Sequence, residues 1–209
     1  MVTDRWLEID WKTPLPDKRA ITRSRERLRF EQVSLEHPAI DAMLAELRRL
    51  FAGGGALLAS FRVFEDDAVA QWFASRNRLQ EYGFFGPFLT SEAVRTALPE
   101  LGAPRRLGDK SLELKWPPGN SFSLDGILAG FLHAGGCYEK FHGTPVEAKR
   151  MAGDFTHAII EDRYDEFLVY HTDQAWARFF DENIPANNTF VIVDKRNAQI
   201  TLLCLADAD

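Results

Sequence analysis

Apolar positions along this chain change their period several times, and each change marks an element. Leu7, Ile9 and Trp11 alternate with Glu8 and Asp10, the period of a half-buried strand. Thr13-Pro-Leu-Pro16 ends it, because proline cannot donate to a ladder and restricts its predecessor. Alternation resumes over Arg25–Val33, with Leu28 and Phe30 facing in and Arg27 and Arg29 facing out. From about Pro38 the period becomes helical: Ile40, Met43, Leu44, Leu47, Leu50 and Phe51 recur at three-and-four spacing, and Gly53-Gly-Gly55 stops the run. Ala56–Phe64 then reads as a strand that is apolar on nearly both faces.

Asp66 and Asp67 are placed to cap a short helix burying Val69, Trp72 and Phe73. Residues 77–90 read as a loop rich in glycine and aromatics, followed by a helix opening near Ser91 with Val94, Ala97 and Leu98 inward. Leu112, Leu114 and Trp116 suggest a strand closed by Pro117-Pro-Gly-Asn120. In the second half a helix runs from about Ser123 to His133, and a short strand passes through Cys137–Phe141. Thr144-Pro-Val-Glu147 is the sharpest local signal: a capping threonine, proline at the first helical position, and a glutamate that reaches back to the cap. The helix it starts continues to about Ile160. Glu166–Tyr170 reads as a strand, and Asp173 caps a short helix carrying Trp176, Phe179 and Phe180. Thr189–Asp194 and Gln199–Leu205 form a hairpin around Lys195-Arg-Asn-Ala198, apolar on both faces and therefore central in a sheet.

Strands and helices mix without regular βαβ alternation, so the expected class is α+β: a mixed, largely antiparallel sheet with helices packed against it. The expected organisation is a single unit over residues 1–209, with 117–121 as the boundary should there be two lobes.

Composition narrows the function classes. Net charge is −6, which argues against general nucleic-acid binding. No run reaches the roughly 18 apolar residues of a membrane helix, and the charged N-terminus is unlike a signal peptide; the expectation is a cytoplasmic, acidic protein. Cys137 and Cys204 are expected as reduced thiols. The charge is uneven. Residues 18–29 hold six basic side chains against Glu26, whereas residues 151–209 hold eleven acids against four bases.

Catalytic chemistry has one cluster of candidates. His133–His142 gathers Cys137 and two imidazoles, and a nearby histidine can hold a thiol as thiolate. A thiol enzyme would use Cys137 with His142 or His171; the plainer reading of Cys137 is a small buried apolar residue. Zinc on His133, Cys137 and His142 lacks the paired ligand spacing of structural zinc, so no metal is expected. Gly53-Gly-Gly55 has no Lys-Ser/Thr after it, no Gly-x-Ser-x-Gly elbow occurs, and no cofactor is expected.

Phe141-His-Gly-Thr144 resembles the His-Gly-Thr stretch on the first nicotinamide-binding strand of ADP-ribosyltransferases. The resemblance implies His142 on the cofactor ribose, Tyr170 stacked on nicotinamide and Glu182 as the late glutamate. Only 67 residues follow His142, and the same four residues lead directly into the capping box.

Two surfaces are candidates for binding. Arg23, Arg25, Arg27 and Arg29, spaced by two on a strand, would project as one row about 7 Å apart per step, a docking strip for an acidic protein, a phosphate or a nucleic-acid backbone. An exposed strand face paired with the chain's own acids is the plainer account. Tyr82-Gly-Phe-Phe-Gly-Pro-Phe88, with Tyr82 and Phe85, suits a contact edge or a core plug equally. The reading that follows is a non-enzymatic protein-binding module of immunity or regulatory type, with a small thiol enzyme as the alternative. Nothing in the sequence sets the oligomeric state.

Overall fold

The computed structural model describes residues 6–107, 112, 114, 115, 120–180 and 187–207, leaving the Glu65 side chain aside. Its centre is a five-stranded antiparallel sheet in the order β1-β2-β5-β4-β3. The strands are β1 (Arg29–Val33), β2 (Gly55–Glu65), β3 (Phe167–Thr172), β4 (Asn188–Asp194) and β5 (Gln199–Ala206). The α+β class is as expected. The 189–205 hairpin is β4–β5, and it occupies the middle of the sheet, buried along nearly its whole length.

Alternate residues of these strands feed two cores. Phe61, Val63, Leu168, Tyr170, Val191, Ile200 and Leu202 face one, while Ala56, Phe167, Val169, Phe190, Ile192, Leu203 and Leu205 face the other. The second core is closed by α2 (Pro38–Leu50), α7 (Leu124–Ala134) and α8 (Pro145–Ile160). The first is closed by shorter pieces: α1 (Lys18–Arg27), α3 (Ala68–Ser75), α4 (Leu79–Tyr82), α5 (Phe85–Leu89) and α6 (Glu92–Ala97). Strands from both sides of residues 117–121 share the sheet, since β2 pairs β5 along Gly55–Arg62. Among the described residues no helix is long and apolar enough to cross a membrane.

Strong local chemistry produced the expected elements. His37 caps α2 ahead of Pro38, Asp67 caps α3 through Val69 and Ala70, and Ser91 caps α6. Thr144 and Glu147 form the complete capping box of α8.

Elsewhere the expectations need correction. Residues 7–11 form no strand; the segment is held by side chains, with Trp6 Nε1 donating to Asp66 at 2.8 Å and Arg76 donating to the Asp10 carbonyl. Residues 18–27 are helical and only 29–33 are extended. Two short helices, α4 and α5, replace the loop expected over 77–90. Residues 137–141 form no strand, because the Cys137 N–H goes to the Asp207 carboxylate and the Gly136 N–H closes a turn on Glu139. The helix expected after Asp173 is absent: Phe179 N–H bonds the distant Leu101 carbonyl and Trp176 Nε1 bonds Thr189 Oγ1 at 2.9 Å. Of the strand expected over Leu112–Trp116, a single bridge between Lys115 and His171 is present, and Trp116 lies outside the described residues with 117–119.

The cap of α8 is the most local of these devices. Replacing Thr144 by Ala should destabilise the fold by about 1 kcal/mol, the usual cost of a lost N-cap. Urea denaturation of the variant measures this, and a loss under a few tenths would mean that the box contributes little.

Candidate binding surface

α1 decides where the basic segment points. Pro16 precedes it, and Asp17 caps it by accepting from the Ala20 N–H at 2.8 Å. Its inward stripe is Ile21, Ser24, Arg25 and Leu28, a three-and-four spacing that the alternation of arginines disguised. Within the helix only Ser24 is fully buried, and it holds α1 down through Asp67 Oδ1 at 2.6 Å and Tyr82 Oη at 2.7 Å.

The expected row of Arg23, Arg25, Arg27 and Arg29 on a strand is therefore corrected. Helical geometry separates those four and creates another row, Arg19, Arg23 and Arg27, spaced by one turn and about 6 Å apart. All three are exposed, and none makes an ion pair with a described residue. Arg23 Nε reaches only the Arg19 carbonyl, at 3.4 Å. Arg25 instead turns inward against Gly83, where a Cβ would stand 2.8 Å from its guanidinium. Gly83 also holds φ +75°, which favours glycine on a second count. Arg29 folds back on the end of α1, donating to the Glu26 and Leu28 carbonyls at 2.8 and 2.9 Å.

The row costs the helix stability. Like charges at i,i+4 destabilise by about 0.2–0.5 kcal/mol per pair, and Arg19/Arg23 and Arg23/Arg27 are two such pairs. Lys18 and Arg19 also sit in the first turn, where the helix dipole disfavours cations. A signal was present in the sequence: Arg recurs at every fourth position behind an Asp that follows proline.

The aromatic segment is a core plug and not a contact edge. Tyr82 is fully buried, and burial pushes its phenol up to about 12 against the opposing hydrogen bond to Ser24. Phe85 is buried with its ring 4.6 Å from that of Tyr170, and Phe84 and Phe88 fill the same core.

Cys137, His142 and His171 keep separate surroundings. Cys137 is exposed near the end of β5, its N–H on Asp207. His142 lines a hollow of about 400 Å³ between α2 and α8, beside Phe141, Glu46 and Arg49. His171 lies on β3, its Nε2 2.8 Å from Asn188 Oδ1 and its ring tilted against that of Phe190 at 4.6 Å. Phe141-His-Gly-Thr144 lies on no strand, and Thr144 serves as the α8 cap; Tyr170 is buried and Glu182 falls outside the described residues. Neither Cys137 nor Cys204 forms a disulfide. Among the described residues no group of three or more His, Cys, Asp and Glu side chains is placed to hold a metal ion.

The densest ionic cluster ties the β4–β5 turn to residues 163–166. Arg163 bonds Asp194 at 2.9 and 3.1 Å, Arg196 bonds Glu166 at 2.7 Å, and buried Lys195 reaches the Ser75 carbonyl and Asn77 Oδ1. Burial lowers the Lys195 pKa, while the hydrogen bond from Arg196 holds the Glu166 carboxyl below its ordinary range. The arginines and carboxylates here answer one another and Lys195 is held by two neutral oxygens, so the cluster reads as scaffolding.

No protein-family model, curated protein or solved structure matches the chain. The surface must therefore be read on its own chemistry.

Two measurements check this account. Native protein should react with a thiol reagent at Cys137 alone, and at Cys204 only after denaturation, because burial pushes the Cys204 thiol up to about 12. Rapid labelling of both thiols in native buffer would place Cys204 wrongly.

Glu166 has a depressed folded-state pKa, so its contribution is present above the unfolded value of about 4.5 and lost as pH falls through the folded value. Glu166→Gln should flatten the loss of stability that sets in as pH falls below about 5, followed by urea melts. Equal slopes for both proteins would remove Glu166 from the acid response.

Proposed function

We propose that this chain is a protein-binding module of the immunity or regulatory type, docking an acidic partner through Arg19, Arg23 and Arg27. One observation carries the reading: three exposed guanidiniums in register, without an ion pair to any described residue, on a helix that buries only Ser24. The chain has 31 acidic residues, yet none of the described ones answers this row. A partner carboxylate would relieve the repulsion and gain charge-assisted hydrogen bonds, which exceed neutral ones in strength. A body of net charge −6 repels a polyanion along its whole length, whereas a folded protein can confine its carboxylates to the row, which favours the latter.

Charge reversal separates binding from folding. Arg19→Glu, Arg23→Glu and Arg27→Glu together should change stability by less than about 1 kcal/mol, since exposed charges contribute little. The triple variant should lose salt-sensitive, nuclease-resistant partners that the wild type retains from cell lysate, each re-tested as a purified protein. Equal retention of every such partner by both proteins would end the proposal.

A further inference from the structure

The chain leading into α1 carries a second contact feature. Trp11 is 79% and Leu15 57% exposed, two large apolar groups on one short arm. Trp11 forms one wall of a hollow of about 470 Å³, whose other walls include Ile9, Trp72, Arg76 and Arg78. The guanidinium of Arg76 lies 4.3 Å from the Trp72 ring centroid and 5.7 Å from that of Trp11, and Arg78 lies 5.1 Å from Trp72.

The Trp72, Arg76 and Arg78 walls are held in advance. Trp72 Nε1 donates to the Thr13 carbonyl at 2.9 Å, Arg76 to the Trp72 carbonyl at 3.2 Å, and Arg78 Nε to Glu81 at 2.7 Å. A pre-ordered hollow loses little entropy when it is filled.

Ser24 of α1 bonds the N-cap of α3, while Thr13 bonds Trp72 farther along α3. Thr13 thus ties the chain just ahead of α1 to Trp72, a wall of the hollow, and that chain runs on into the helix that carries the arginine row. Thr13 and Asp17 are four residues apart, a reach of at most roughly 14 Å. The carboxylates of Asp10 and Asp17 accept from Thr13, Lys12 N–H and Ala20 N–H, and none of these bonds reaches the row.

Resting on the docking role proposed for the row, we infer that the partner presents an acidic helical segment with an aromatic anchor. Its carboxylates lie along Arg19, Arg23 and Arg27, and its ring enters the hollow beside Trp11. A ring fits this hollow chemically, because indole faces attract ring edges and guanidinium planes stack on aromatic faces. Trp and Arg are also the residue types over-represented among interface hot spots.

Anisotropy of labelled probes with the full chain tests this. One probe is a helical peptide of about 16 residues with Glu at every fourth position and a terminal Phe. The second has Ala for that Phe, and the third is a single-stranded oligonucleotide. The wild type should bind the Phe peptide at least about tenfold more tightly than the Ala peptide. Trp11→Ala should erase that difference and keep the weaker charge-driven binding; the triple reversal should abolish both. Equal affinity for the two peptides, or no effect of Trp11→Ala, overturns the anchor while leaving the arginine row in place. Binding of both peptides that survives the triple reversal overturns the row instead. Tighter, Trp11-dependent binding of the oligonucleotide overturns the inference in favour of nucleic acid, and no binding of either peptide at millimolar concentration overturns it outright.

Discussion

The burial of β4 and β5 on both faces is the constraint from which the other elements follow. With β5 flanked by β2 and β4, their backbone groups are paired within the sheet, and their side chains leave water above and below. Each large apolar side chain so buried contributes about 1.5–3 kcal/mol, provided that something covers it. One face is covered economically by α2, α7 and α8, whose apolar stripes are long and regular. The other is covered by short helices and loops carrying Trp6, Phe73, Tyr82, Phe84, Phe85 and Phe88, whose rings meet mostly edge to face or tilted. Bulky rings allow short segments to fill a core that a regular helix layer would otherwise occupy.

Several polar groups drawn into this packing are paired within it. Ser60 and Thr201 lie 3.0 Å apart beneath Gln199, and the charged turn after β4 is closed on Glu166, Arg163 and Asn77. Such pairing is what buried polar groups require. Against that background the exposed face of α1 stands apart: the same described residues that neutralise Arg163 and Arg196 include none that pairs with Arg19, Arg23 or Arg27. That contrast makes α1, and not the cysteine and histidine positions, the surface on which a functional reading rests.

Much of the fold was legible in the chain because its strongest signals are short-range. The stripe from Ile40 to Leu50, the box at Thr144 and Glu147, and the doubly apolar arms around Lys195–Ala198 each specify an element from neighbours within a few residues. Such signals survive whatever the rest of the chain does.

The errors fall where long-range bonds outweigh local pattern. Alternating arginines suggested a strand over residues 25–33, of which 29–33 is one, yet Asp17 starts a helix that runs on to Arg27 and Ser24 anchors it to Asp67 and Tyr82, more than forty positions away. The helix expected after Asp173 is replaced by bonds to Leu101 and Thr189. The aromatic stretch at Tyr82–Phe88 had the composition of either surface or core, and only the presence of an uncovered sheet face placed it inside. The sequence by itself determined the sheet centre, the long helices and the basic character of residues 18–29. Tertiary structure decided which of those bases share a face, because helical and extended backbones project the same residues in different directions, and a contact with a distant carboxylate chose between them.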